Sequence, residues 1–112
     1  MKVIRQDELP FSRISREFVG ADHGDAGACL IFVDAPPGRG PRLHRHPYAE
    51  LFIVQDGQAT FTADGAEREV GAGDLVVVPA GTPHKFVATG EGQLRMISVQ
   101  PTPSFSTEWL EE

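Results

Sequence analysis

Twelve glycines and nine prolines cut this 112-residue chain into apolar runs too short to be helices. Ala28 to Val33 (ACLIFV) is bounded by Gly27 and by Pro36-Pro37. Glu50 to Gln55 (ELFIVQ) stops at Asp56-Gly57, a turn dipeptide, and Gln58 to Ala63 alternates Ala59, Phe61 and Ala63 with threonines. Asp64-Gly65 is a second hairpin signal before Ala66 to Val70. Asp74 to Val78 ends at Pro79-Ala80-Gly81-Thr82-Pro83, and His84 to Thr89 and Leu94 to Val99 complete the series. Short strands with turn signals at this spacing predict an all-β sandwich or barrel, and no helix-length segment interrupts them to build a βαβ unit. One stretch breaks the pattern. After Pro101 to Pro103, Ser106 to Leu110 reads as one short helical turn capped by Ser104 or Ser106, with Phe105 and Trp109 four apart as one patch.

Length allows one domain, residues 1–112, with a C-terminal tail over 101–112. The net charge of −6 argues against nucleic-acid or anionic-membrane partners, which call for clustered Lys and Arg. The first residues, MKVIRQDELP, lack the apolar stretch of a signal peptide, and no window approaches a membrane span. The single cysteine, Cys29, excludes an internal disulfide and reads as a small buried hydrophobe. The expected address is cytoplasmic.

Chemistry concentrates in three of the four histidines. His44 and His46 stand two apart, so a strand aims both at one point; Glu50 opens the next apolar run and His84 lies far downstream. Each histidine alone reads as well as a surface or core residue. The combination is harder to dismiss. Glu50 shares parity with Phe52 and Val54, and His84 with Phe86 and Ala88, so core-facing apolar residues bring the polar ones inward with them. Burying a bare carboxylate is expensive, and a divalent cation compensates it. Three imidazoles and one carboxylate suit Fe, Mn, Ni or Zn, one ion per chain, with positions left open for a ligand.

The neighbours of this cluster read mostly as scaffold. Arg45 and Lys85 adjoin ligands, so alternation points them away; Gln55 faces outward, and the parity of Arg95 leaves its side open. Tyr48, the only tyrosine, reads first as a rim residue packing beside the loop and second as a catalytic acid or base. His23 belongs to the surface turn Asp22 to Asp25, and Phe52, Phe61 and Phe86 are either cavity lining or core.

Two motifs now carry a resemblance. Gly38-x5-His44-x-His46-x3-Glu50-x6-Gly57 and Gly73-x5-Pro79-x-Gly81-x2-His84 resemble the cupin superfamily in spacing, separated by the 15-residue segment of small microbial cupins. Where the second motif often ends in Asn, this chain has Ala88, so a polar group that would orient a ligand is missing. The resemblance implies a six- to eight-stranded antiparallel jelly-roll barrel (a double-stranded β-helix) with His44, His46, Glu50 and His84 around one metal. It places Gly57 and Gly73 at tight reversals and Pro79-x-Gly81 at the bend presenting His84.

It also implies a range of activities. The first expectation is a dioxygenase-like oxidoreductase acting on a chelating, oxygen-rich small molecule, with Glu50 as both ligand and proton acceptor. A metal-dependent isomerase is a second, and a non-catalytic module binding a sugar or acid is a third. Small cupins commonly pair, and the N-terminal segment 1–20, through Ile14 to Val19, is expected at a homodimer edge where it covers unpaired strand groups.

Overall fold

The computed structural model describes residues 1–112 and contains eleven strands and two short 3-10 turns, Gln6–Glu8 and Gly20–Asp22. In chain order the strands are β1 Phe11–Ser12, β2 Ser15–Phe18, β3 Cys29–Ala35, β4 His44–Arg45, β5 Glu50–Asp56, β6 Gln58–Ala63, β7 Ala66–Gly71, β8 Leu75–Val78, β9 His84–Thr89, β10 Leu94–Gln100 and β11 Glu108–Trp109. The first sheet has the order β1-β2-β3-β10-β5-β8 and the second β11-β4-β9-β6-β7, and every pairing is antiparallel. This is the expected jelly-roll barrel. No helix is long and apolar enough to cross a membrane.

The runs chosen by alternation became strands within two residues at either end. Two strands, β1 and β11, were not expected; like β4, which the His44 and His46 spacing announced, they are only two residues long. Asp64-Gly65 forms the anticipated hairpin between β6 and β7, both residues having positive φ (51° and 79°) as a type I′ turn requires. Asp56-Gly57 does something else. β5 and β6 lie in different sheets, so this turn is the barrel's corner, with Gly57 at φ +83° and the backbone of Gln93 and Leu94 filling the space a Cβ would need.

The tail corrects the sequence reading. Ser106 to Leu110 is not a helical turn, because Glu108–Trp109 pairs with β4, setting Trp109 opposite His44 and Glu108 opposite Arg45. One helical turn is marginal in water, whereas here the Leu110 N–H donates to the Leu43 carbonyl at 2.9 Å and Arg45 grips the Glu108 carboxylate through two nitrogens (2.8 and 3.1 Å). The N-terminal segment lies at one side of the first sheet. β2 pairs with β3 on one side and with β1 on the other, so β1 forms that edge of the sheet.

The inner faces of the sheets meet in a core of Val33, Ala35, Phe52, Val54, Ala59, Phe61, Val78, Phe86, Ala88, Leu94 and Met96. Phe52 packs edge-on against Phe61 at 4.9 Å between centroids. The core fills one end of the barrel, and the histidine cluster occupies the interior beyond Phe52 and Phe86. Cys29 is fully buried and unpaired, as expected.

Candidate metal centre

β4 supplies His44 and leads into His46; β5 begins with Glu50 and β9 with His84, and the register sets His44 directly opposite His84. All four side chains are buried, Glu50 at 2% and His84 at 1% exposure. One ligand atom from each lies within 4.8 Å of all the others. Donors on opposite sides of an ion, at bonds of about 2.1 Å, are about 4.2 Å apart, so small shifts close the cluster on a cation.

Each imidazole is anchored from behind. Nδ1 of His44 lies 2.7 Å from the Arg42 carbonyl, that of His46 2.8 Å from Ser106, and that of His84 2.8 Å from Thr82. A carbonyl only accepts, so each Nδ1 carries a proton and each Nε2 faces the interior, with its lone pair free when the ring is neutral. Outer anchors of this kind fix the rings of metal-binding histidines. Two further details fit a cation. Nε2 of His46 is buried without a hydrogen bond, lying 3.2 Å from Glu50 Oε1 but out of alignment. Nε2 of His84 lies 2.8 Å from the same oxygen, a contact that requires a proton while Nδ1–H is committed to Thr82. A divalent ion held by these residues would take that proton's place.

The other oxygen of Glu50 is already engaged. Oε2 accepts from Ser98 Oγ (2.5 Å) and Gln100 Nε2 (3.1 Å), both buried, which leaves Oε1 for the cluster. Burial raises the carboxyl pKa, but the His46 imidazole beside it and hydrogen bonds from His84 and Ser98 outweigh it and hold Glu50 at about 2. A carboxylate so stabilised is a ligand and a weak base. Burial pulls His44 down to about 4, so it is neutral at pH 7. Burial also opposes charge on His46, yet Glu50 and the Ser106 carbonyl prevail and raise its pKa.

Ser98 and Gln100 escaped the sequence reading, although they share parity on β10 with Leu94 and Met96. Tyr48 joins the same network. Its hydroxyl donates to Gln100 Oε1 at 2.6 Å and accepts from the Ser106 N–H at 3.1 Å, and its ring stacks on His46 at 5.2 Å. Burial raises the phenol pKa, and these contacts place Tyr48 to orient Gln100 and His46. Arg45 and Lys85 point outward and hold Glu108 and Glu111 of the tail; Gln55 is exposed, and Arg95 sits outside beside Asp34 at 3.9 Å. His23 lies away from the cluster, stacked on Phe18.

A cavity of about 520 Å³ opens above the cluster, walled by β2, β3, the Arg39 to Arg42 segment and Phe105, Thr107 and Trp109 of the tail. The tail therefore helps both to hold His46 and to enclose the cavity. Neither role is visible from local sequence.

The family model described as "Cupin domain" matches residues 31–100. The chain is 33% identical over 79 residues to the uncharacterized protein MJ1618 of Methanocaldococcus jannaschii, covering 68% of this chain and 63% of that one. It is 29% identical over 108 residues to the HTH-type transcriptional regulator PuuR of Escherichia coli, covering 92% of this chain and 58% of that one. The chain thus spans about three fifths of the length of these two relatives. Among solved structures, oxalate decarboxylase from Bacillus subtilis superposes with a TM-score of 0.83 at 25% identity over 96% of this chain, which spans 31% of that enzyme. The matched span covers the strands that carry all four clustered ligands, and the chain belongs to the cupin family.

Proposed function

We propose that this chain is a metal-dependent cupin that acts on a chelating, oxygen-rich small molecule, first as a dioxygenase-like oxidoreductase. His44, His46, Glu50 and His84 hold one divalent Fe, Mn, Ni or Zn ion. The observation that carries this reading is the set of three Nδ1–H anchors, which turn three Nε2 lone pairs toward one buried carboxylate oxygen. The bound ion supplies Lewis-acid polarisation of a chelated oxygen. The chain's own residues do the rest: Ser98 and Gln100 fix Glu50, Tyr48 fixes Gln100, and Phe52 and Phe86 keep the floor of the cavity apolar.

A binding module is the second reading. Its support is that Glu17 is the one acidic side chain on the cavity wall besides the ligand Glu50, which leaves few groups for proton transfer. The isomerase reading needs a dedicated base and has only Glu17 to supply it. Oxygen uptake with a panel of β-diketones, flavonols and hydroxy acids under iron or manganese loading separates these readings. Turnover supports the oxidoreductase; tight binding without turnover supports the module; metal well below one ion per chain sinks both.

The raised His46 pKa gives the metal loading a direction with pH. Below that pKa a proton occupies the position a cation needs, so affinity is expected to rise with pH by about tenfold per unit until His46 is neutral. The metal-free fold behaves in the opposite sense. Its His46–Glu50 stabilisation is full below the ordinary histidine pKa and is lost as pH rises through the raised one. Competition titration against a chelator from about pH 5.5 to about pH 8 reads the slope, and a flat profile contradicts the assignment. A cytoplasmic address belongs to this reading, on the buried free thiol of Cys29.

The partner in this reading is a second copy of the chain. On the outer face of the first sheet, Phe18, Leu30, Val99, Leu51 and Val77 form one cross-strand row and Arg16, Phe32, Ile97, Ile53 and Leu75 the next. Nine of the ten are apolar, and Leu75 and Val77 are 72% and 64% exposed. Apart from Val87, the outer face of the second sheet carries polar and charged residues such as Arg45, Thr60, Thr62, Glu67, Glu69 and Lys85, so the extended apolar patterning is specific to one face. Five strands about 4.8 Å apart, three about 23 Å long and two about 13 Å long, offer about 400 Å² in plan and more in accessible area. The plan area alone is about half the ~800 Å² per partner of a standard interface. A face with few charges is also where two chains of like charge approach with least repulsion. We expect a dimer at micromolar concentration by light scattering, and a monomer with unchanged metal content for L75K/V77K. A monomeric parent, or a dimeric variant, rejects this face.

A further inference from the structure

Three arginines, Arg13, Arg39 and Arg42, lie on the wall of the cavity above the histidine cluster. In a chain with only ten Lys and Arg against sixteen Asp and Glu, this is a local reversal of charge. None of the three has a carboxylate partner; the ion pairs of the basic side chains use Arg5, Arg45, Lys85 and Arg95. The wall carries only Glu17 and Glu50 in return, and Glu50 is committed to the cluster.

Two of these arginines are held in distinctive ways. The Arg42 guanidinium sits 4.9 Å above the Trp109 ring, so the tail that closes the cavity also places this charge. Arg13, in the turn between β1 and β2, has φ +61°. The other two non-glycine residues with positive φ, Asp25 and Asp64, are of the type that tolerates it; arginine is not, and backbone strain of this sort concentrates at ligand sites. Size points the same way. A cavity of about 520 Å³ leaves room well beyond a group that only chelates an ion.

We propose that the site takes an acid with two anionic ends: a chelating hydroxy- or keto-carboxylate head at His44, His46, Glu50 and His84, and a second oxyanion, carboxylate or phosphate, at Arg13, Arg39 and Arg42. This rests on the metal-centre reading for the head and on the arginine wall for the tail. Guanidinium groups bind either oxyanion through paired N–H donors.

Calorimetry on the manganese-loaded protein compares three probes sharing one head: 2-oxoglutarate, its analogue with a phosphonate tail, and 2-oxopentanoate, whose tail is a methyl group. Both anionic tails are expected to bind about tenfold tighter than the methyl tail, and their order tells carboxylate from phosphate. In R13Q/R39Q/R42Q the advantage falls to about twofold or less while metal content stays at the parent level. Equal binding of all three probes, absence of binding by both anionic tails, or an advantage that survives the triple variant overturns the subsite. The same titrations on metal-free protein separate the two readings. Affinities that do not change on metal removal, with the tail advantage intact, defeat the metal-bound head and keep the arginine subsite.

Discussion

His84→Ala is expected to lower metal affinity by more than about a hundredfold, and with it any turnover or chelate binding, because changing only an outer partner of a metal ligand already costs 10–100-fold. His84 is the ligand best fixed in place. It is 1% exposed, its Nδ1 is bound to Thr82, its ring packs 4.4 Å from that of His44, and the strand register sets it opposite that residue. The variant also leaves Glu50 Oε1 without its 2.8 Å partner in the barrel interior, so the metal-free fold loses about 1–3 kcal/mol. Stability loss alone could imitate a functional loss, and Ser98→Ala controls for it. That variant removes a buried partner of Glu50 but no ligand, so metal affinity drops by about tenfold while the site still fills at high metal. Metal per chain by mass spectrometry and affinity by chelator competition give the answer. An H84A protein that folds and retains one ion per chain at parental affinity refutes the centre; His23→Ala, on the remaining histidine, leaves loading unchanged.

The four clustered residues were legible because they obey a local rule: alternation on strands ties Glu50 to Phe52 and Val54, and His84 to Phe86 and Ala88. The same rule, applied to β10, reaches Ser98 and Gln100 from Leu94 and Met96. Two polar residues at the end of an inward parity therefore held a readable signal that drew no attention beside three histidines. The tail was different in kind. Phe105 and Trp109 are four apart, which is helical spacing, and only a pairing across more than sixty residues of chain reveals that Trp109 belongs opposite His44. The partner of His46 is likewise a backbone carbonyl of Ser106, which has no side-chain signature. Asp56-Gly57 shows the same limit, since its composition demands a turn but cannot say whether that turn closes a hairpin or crosses between sheets. The arginine wall gathers Arg13, Arg39 and Arg42 from two separate loops. Local periodicity thus revealed what each strand turns inward, while long-range register decided what surrounds it.

That distinction can be tested at a glycine no motif singled out. Gly40→Ala is expected to destabilise the metal-free protein by about 3 kcal/mol, a fall in Tm of about 12 °C, and Gly38→Ala by about 1 kcal/mol, a fall of about 4 °C. The two substitutions are alike in chemistry and only two residues apart, but they meet different obstacles. Gly38 has φ +88° with open space around its Cβ direction, so alanine there bears only the left-handed conformation. Gly40 has no such φ; its Cβ would come within 1.8 Å of the Phe86 carbonyl oxygen and 3.1 Å of the Val87 α-carbon. Both obstacles are backbone atoms of β9 and cannot rotate away. The segment must therefore lift, straining the hydrogen bonds from the Gly38 N–H to the Ala88 carbonyl and from the Ala88 N–H to the Arg39 carbonyl, each 2.8 Å. Because β9 begins at His84 and the lifted segment runs on to His44, the damage reaches the centre, and metal affinity falls in G40A but not in G38A. Thermal unfolding of both metal-free variants, followed by metal titration, measures the difference. Equal Tm losses, or a larger one in G38A, would show that the close approach of Gly40 to β9 does not hold the two halves of the ligand set together.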